Sequence, residues 1–230
     1  NEMTNQPRHS RYLIIGGGLT GDSSARGIRE LDPNGTIGMF SMELDPPYVR
    51  PALSKKLWKG QPIEKIWRNT ASLGVDIHLR RKAIHLDPQH KRIQDSDGKE
   101  TTYDRLLLAT GGAPIRLPFG AENIIYFRDL QDYRRLRALS ESGDRFLVIG
   151  GGFIGSEIAA ALTMAGKKVS MVFLEDAVGA LIYPSDLVHY LNDYYRSKGI
   201  EVIPNDAAVS VEPAGQRWIV MTKNGQRFEV

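Results

Sequence analysis

The chain has 230 residues, with 30 Lys and Arg against 27 Asp and Glu, a formal charge of +3, and hydrophobic and charged fractions of 41% and 25%. A basic surplus that small and scattered argues against a nucleic-acid partner, although it favours an anionic cofactor, and no apolar run approaches the roughly 18 residues of a membrane span. Cysteine is absent, which excludes disulfides, thiolate metal sites and any redox-active cysteine pair within these residues.

The opening "NEMTNQPRHS" lacks an apolar h-region, so no signal peptide is expected there, only a leader that the fold does not need. The cytoplasm is then the default compartment, with the mitochondrion the alternative if a longer leader has been removed. Residues 11–15 and 36–41 predict apolar strands around a helix from about Gly18 to Leu31, closed by the turn signal "DPNG". The prolines of "PPYVRPALSK" forbid a regular helix and predict an extended loop leading to a short helix near Ser54–Lys59. From Val75 to Ala109 short alternating segments predict a β-meander returning to the main sheet, with Asp97-Gly98 as a hairpin turn.

"GGAPIRLPFG" is the expected domain boundary, dividing the chain into 1–116 and 117–230. A helix over "DYRRLRALSES" precedes a second strand–loop–helix unit at 146–166 and a strand at 168–173. "PSDLVHYLNDYYRSKG" predicts a helix with Ser185 as N-cap, an apolar face of Leu187, Val188, Leu191, Tyr194 and Tyr195, and Gly199 as its stop. "IEVIP", "VSVEP" and "WIVMTKNGQRFEV" predict terminal strands, the last turning at Asn224-Gly225. The five histidines show no metal-binding spacing, and Trp58, Trp67 and Trp218 are expected to be packing residues.

Two loops of the same design stand out. Gly16-x-Gly18-x-x-Gly21 and Gly150-x-Gly152-x-x-Gly155 each follow an apolar strand and open a helix. There the first glycine makes the turn, the second admits a pyrophosphate and the third lets helix and strand pack. The phosphates would sit on exposed N–H groups at the positive end of a helix dipole. About 20 to 26 residues on, at the end of the second strand, an acidic side chain should take the ribose hydroxyls. In the second unit Glu175 occupies that place, and its charge would repel a 2′-phosphate, favouring NAD(H) over NADP(H). In the first unit the strand ends at Met42, so either Glu43 serves with a small shift or the ribose contact is weaker. Asp22, just after the first loop, would oppose a pyrophosphate by about 1 kcal/mol in a water-like dielectric, or else complement the helix N-terminus. Two dinucleotides in one chain suggest a flavin and a nicotinamide, a redox pair between which a hydride passes.

With these loops, "PPYVRPALSKKLW" (46–58), "LLLATGG" (106–112) and "GGGFIGSEIAAAL" (150–162) resemble the FAD/NAD(P)-dependent oxidoreductases with two dinucleotide folds. Within that superfamily the chain is most similar to apoptosis-inducing factor and the bacterial ferredoxin-reductase-like proteins. The resemblance implies an α/β protein with two three-layer Rossmann-like domains and a β-meander. The first, 1–116, would bind FAD through Gly16, Gly18 and Gly21, with Arg50, Thr110 and Gly111 also contacting it. The second, 117–230, would bind NADH through Gly150, Gly152, Phe153, Ile154 and Gly155, with Phe153 an aromatic gate near the nicotinamide. Lys55, paired with Glu157, would lie beside the flavin and stabilise its reduced form. By the same resemblance the chain stops before a later flavin-contacting segment and a C-terminal interface domain. The expected function is an NADH oxidoreductase that passes electrons to a small redox protein, a quinone or oxygen, as a monomer or homodimer. A redox-gated interaction protein with slow turnover, and a nucleotide-binding remnant without flavin, are the alternatives.

Overall fold

The computed structural model describes residues 8–120 and 122–230. They separate into two compact units, one running to Arg50 and again from Pro62 to Ala113, the other made of Pro51–Gln61 and Pro114–Val230. The predicted leader lies outside the described residues up to residue 7. Its last three residues, by contrast, already belong to the first strand, because Arg8, His9 and Ser10 pair with Thr101, Thr102 and Tyr103 and Ser10 is buried.

The first unit is built on a six-stranded sheet of β1 (Arg8–Ile15), β2 (Ile37–Phe40), β3 (Val75–His78), β4 (Ala83–Asp87), β5 (Arg92–Asp95) and β6 (Glu100–Leu108), in the order β3-β2-β1-β6-β5-β4. The strands from β3 to β6 run parallel, with Tyr12 opposite Ile37 and Arg105. β4 and β5 continue the sheet antiparallel, so the expected meander is confined to β4–β6; Val75–His78, expected within it, is instead β3, which pairs parallel with β2 at the opposite edge. All four residues of β2 are buried, the apolar signature of a strand covered on both faces. Alternation across the pleat divides the core: Leu13, Ile15 and Phe40 gather with Ile93 and Tyr103, whereas Ile14 and Met39 gather with Ala25, Ile37 and Val75. Helix α1 (Leu19–Leu31) contributes Ala25 to the second group. It ends at Asp32, whose carboxylate accepts from the backbone N–H of Asn34 and Gly35 and from the Tyr12 hydroxyl. Those bonds are why "DPNG" stops the helix.

The second unit holds a parallel sheet, β7 (Arg145–Ile149), β8 (Lys168–Val172) and β9 (Glu201–Ile203), and an antiparallel sheet, β10 (Ala208–Ala214), β11 (Arg217–Thr222) and β12 (Arg227–Glu229). Helix α2 (Leu130–Ser142) starts in a capping box between Asp129 and Asp132, two residues before the predicted start. Helix α3 (Phe153–Met164) buries Ile158, Ala159 and Leu162 against Val169, Met171, Phe173 and Val202.

Helix α4 (Ser185–Ser197) departs from expectation at both its start and its face. Pro184 is the N-cap, in extended conformation, and Ser185 is already the first helical residue without a capping bond. A proline has no N–H for the helix interior, so the helix begins directly behind it. Its inner face carries Val188 and Asn192, with Leu191 half-buried and Tyr195 packed on the core as expected, while Leu187 and Tyr194 are exposed. The buried Asn192 accepts from the Val178 N–H at 2.9 Å and donates to the Asp176 carbonyl at 3.1 Å, so a polar clamp replaces an apolar contact.

Residues 50–59 form two 3-10 turns, Arg50–Ser54 and Lys56–Lys59, rather than one short helix near Ser54–Lys59. Trp58 anchors this segment. It packs on the core of α3, meets Tyr133 edge-on at 5.8 Å, lies under Arg137 and donates its indole N–H to the Leu53 carbonyl at 2.9 Å. Trp67 stands edge-on to Tyr48. No helix among the described residues is long and apolar enough to cross a membrane, and no group of three metal-ligating side chains occurs among them.

Candidate functional site

The two glycine loops adopt one geometry. In each, the first glycine has positive φ (129° at Gly16, 109° at Gly150), a conformation that a side chain rarely allows. Its N–H returns to the neighbouring strand: Gly16 to the Phe40 carbonyl at 2.8 Å, Gly150 to the Val172 carbonyl at 2.9 Å. A Cβ on the last glycine, Gly21 or Gly155, would be driven into the carbonyl of the first, which is what lets helix and strand approach so closely. The middle glycines, Gly18 and Gly152, are the N-caps of α1 and α3, extended and with no side chain capping the helix end. The space in front of each helix end is open: among the described residues nothing lies within 4 Å of a Cβ built on Gly152, and only the Arg50 Nη2, at 3.9 Å, near one built on Gly18. A cradle of unpaired donors at a helix N-terminus suits a pyrophosphate, so the residues present fit a dinucleotide at both places.

Matching hydrogen bonds align the strand ends as well. Phe40 and Val172 accept from the first glycines, and Ser41 and Phe173 crowd Gly17 and Gly151. Exposed Met42 corresponds to exposed Leu174, and half-buried Glu43 to half-buried Glu175. The surroundings of those two acids differ. Glu175 lines a cleft with Gly151, Gly152, Ala177, Gly179, Ala180, Leu181 and Ile182. Its carboxylate has no hydrogen-bond or ion-pair partner among the described residues, which leaves it able to accept from a ribose. The Glu43 carboxylate is already engaged: it accepts from the Tyr48 hydroxyl at 2.6 Å and pairs with the Arg50 guanidinium, which also lies over the Tyr48 ring at 5.0 Å.

Asp22 settles differently from either expectation. It is fully buried, accepting from Arg26 Nε at 3.0 Å, Arg68 Nε at 2.7 Å and the Thr70 hydroxyl at 2.7 Å. Burial alone would raise its pKa, but the bonds from Arg26, Thr70 and Arg68 outweigh that and hold it below the usual carboxylate range. Two guanidiniums share one carboxylate, so Asp22 brings no net negative charge to the loop. Its i,i+4 spacing to Arg26 was the only local hint of this pairing.

Thr110 and Gly111 are exposed and follow Ala109, whose carbonyl closes on Gly16, so this crossing segment adjoins the first cradle. In the second unit Lys55 and Glu157 form an ion pair at 2.7 Å. The Ser54 hydroxyl donates to the same carboxylate oxygen at 2.5 Å, a contact with no signal in the sequence. Phe153 and Ile154, the first two residues of α3, are both exposed, and Phe153 meets Tyr183 edge-on at 6.1 Å. Of the residues singled out from the sequence, Gly16, Gly18, Gly21, Glu43, Arg50, Thr110 and Gly111 belong to the first unit, and Lys55, Gly150, Gly152, Phe153, Ile154, Gly155, Glu157 and Glu175 to the second.

Comparison with known proteins agrees with this geometry. Residues 10–230 match the family model described as pyridine nucleotide-disulphide oxidoreductase. The chain is 33% identical over 205 residues to the 5,5'-dehydrodivanillate O-demethylase ferredoxin reductase subunit of Sphingobium sp., covering 84% of this chain and 49% of that protein. It is 30% identical to apoptosis-inducing factor 1, mitochondrial, of Dictyostelium discoideum, covering 95% and 47%. Its fold superimposes with a TM-score of 0.87 on the ferredoxin reductase for the CYP199A2 system of Rhodopseudomonas palustris, at 25% identity, covering 95% of this chain and 56% of that one. The chain thus spans about half the length of these relatives. It belongs to the pyridine nucleotide-disulphide oxidoreductase family.

Proposed function

We propose that this member of the pyridine nucleotide-disulphide oxidoreductase family binds FAD at the first cradle and NADH at the second, and works as an NADH oxidoreductase whose electrons leave to an acceptor other than a cysteine pair. FAD, when bound, supplies a ring that accepts a hydride from NADH. The observation that carries this reading is the repetition of one loop geometry with two different acidic neighbours, a Glu175 carboxylate without a partner among the described residues and an occupied Glu43. The first-turn N–H groups of α1 and α3 would hold the two pyrophosphates. Glu175 would accept from the ribose diol and repel a 2′-phosphate, giving the preference for NADH. Lys55, paired with Glu157, whose carboxylate also accepts from Ser54, would offer an oriented ammonium group to the charge of the reduced cofactor.

The absence of cysteine within these residues removes an internal disulfide as the acceptor, and the ferredoxin reductase relatives favour a small redox protein over a quinone or oxygen. The similarity to apoptosis-inducing factor supports a second reading, in which reduction switches a partner surface and turnover is slow. One experiment addresses both. Protein mixed with FAD and freed of excess should be yellow, and anaerobic NADH should bleach it faster than NADPH does. A colourless protein that refuses FAD overturns the proposal. Fast reoxidation by a ferredoxin supports the electron-transfer reading, whereas a long-lived reduced complex supports the switch.

A further inference from the structure

Arg50 and Glu43 raise a question that the dinucleotide reading leaves open. Glu43 stands where Glu175 stands in the second unit, yet its carboxylate is committed to Tyr48 and Arg50. Tyr48 is buried, at 3% exposure, and is fixed by a backbone bridge to Trp67 and an edge-on ring contact with it at 6.3 Å. Arg50 therefore donates from Nη1 to the Tyr48 hydroxyl, lies over the Tyr48 ring and pairs with Glu43 through Nη2, the same nitrogen that stands at the open mouth of Gly18. A guanidinium held this way is oriented before a ligand arrives and loses little rotamer entropy on binding, the arrangement that suits a phosphate. Among the described residues the second cradle has no such cation in contact with Gly152.

We propose that Glu43, together with Tyr48, is a positioning residue that holds the Arg50 guanidinium at the mouth of the first cradle for the phosphates of its dinucleotide, and is not the ligand of the ribose. The inference rests on the reading that the first cradle binds FAD. It makes the two halves of the chain chemically distinct: the second grips its nucleotide by a ribose-seeking carboxylate, the first by a phosphate-seeking arginine.

Simple electrostatics predicts the opposite effect of removing Glu43, since deleting an anion near a pyrophosphate should tighten binding. The two accounts can therefore be separated by titrating the apoprotein and its Glu43→Ala, Arg50→Met and double variants with FAD and with FAD lacking the adenosine 2′-hydroxyl, following flavin fluorescence. Circular dichroism and thermal unfolding establish that each variant is folded, and Tyr48→Phe serves as a milder probe of the same clamp. Positioning predicts about tenfold weaker FAD binding for Glu43→Ala and for Arg50→Met. It also predicts a double variant no weaker than Arg50→Met alone, because both act through one contact, and an unchanged ratio of FAD to deoxy-FAD affinity in Glu43→Ala. Tighter binding by Glu43→Ala, additive losses in the double variant, or loss of the preference for FAD over deoxy-FAD in Glu43→Ala would each overturn the inference while leaving FAD binding intact. A parent protein that takes up neither flavin overturns both this inference and the function it rests on.

Discussion

Removing Asp22 should destabilise the first unit, not merely alter its loop. The carboxylate is wholly buried and accepts from two guanidiniums and a hydroxyl at 2.7–3.1 Å. In Asp22→Ala the Thr70 hydroxyl, at 1% exposure, is orphaned at about 1–3 kcal/mol. The Arg26 and Arg68 side chains, 38% and 33% exposed, lose their partner but can still reach water, so their stranded charge costs less than a fully buried one. A total of about 3 kcal/mol follows, the low end of what breaking a buried ion pair costs. That corresponds to amide hydrogen exchange in α1 and β1 about a hundredfold faster at neutral pH. The pH dependence has a definite sign. Asp22 titrates below its unfolded value in the folded protein, so its stabilisation is complete above about pH 4 and is lost as pH falls through the folded-state value. In urea titrations the gap between parent and variant should therefore close on acidification. A gap within about 1 kcal/mol at pH 7, or one that widens in acid, would refute the reasoning.

Four other outcomes follow from the second unit. Gly152 has ordinary extended dihedrals and open space around it, so Gly152→Ala should melt like the parent yet bind NADH at least about tenfold more weakly by fluorescence titration, since the methyl group occupies phosphate space. Gly155→Ala should lower the melting temperature as well, because its Cβ meets the Gly150 carbonyl. Glu175→Ala should narrow the NADH-over-NADPH preference about tenfold in paired binding titrations; an unchanged preference would remove its role. Asn192→Ala strands the buried Val178 N–H and should cost about 2 kcal/mol in urea unfolding, with weaker NADH binding because residues 176–178 adjoin the Glu175 cleft.

How far the sequence reaches depends on the range of the interactions concerned. Strand–loop–helix order, the turn at "DPNG" and both glycine cradles follow from contacts within one β–α–β stretch, where spacing, positive φ and apolar runs leave few alternatives. Glu175 could be located by counting along the chain for the same reason. The helix α4 face could not, because an amphipathic pattern does not say that a buried Asn192 will be chosen to satisfy the 176–178 backbone.

What the linear order leaves open is which neighbours each charge acquires. Glu43 and Glu175 are the same residue at equivalent positions, and they differ because the proline-bounded loop after Glu43 is folded back by the Tyr48–Trp67 bridge and the Val49 N–H to Ile66 carbonyl bond. Asp22 finds Arg68 and Thr70 from 46 and 48 residues away, and Ser54 reaches Glu157 across 103. Residues 51–61 join the second unit because the half-buried Trp58 packs its ring on that unit's core. Local geometry thus determined where phosphates could be cradled. Only tertiary packing decided which carboxylates stay open to a ligand and which are neutralised, because a charge taken out of water must find its partner wherever the fold brings one.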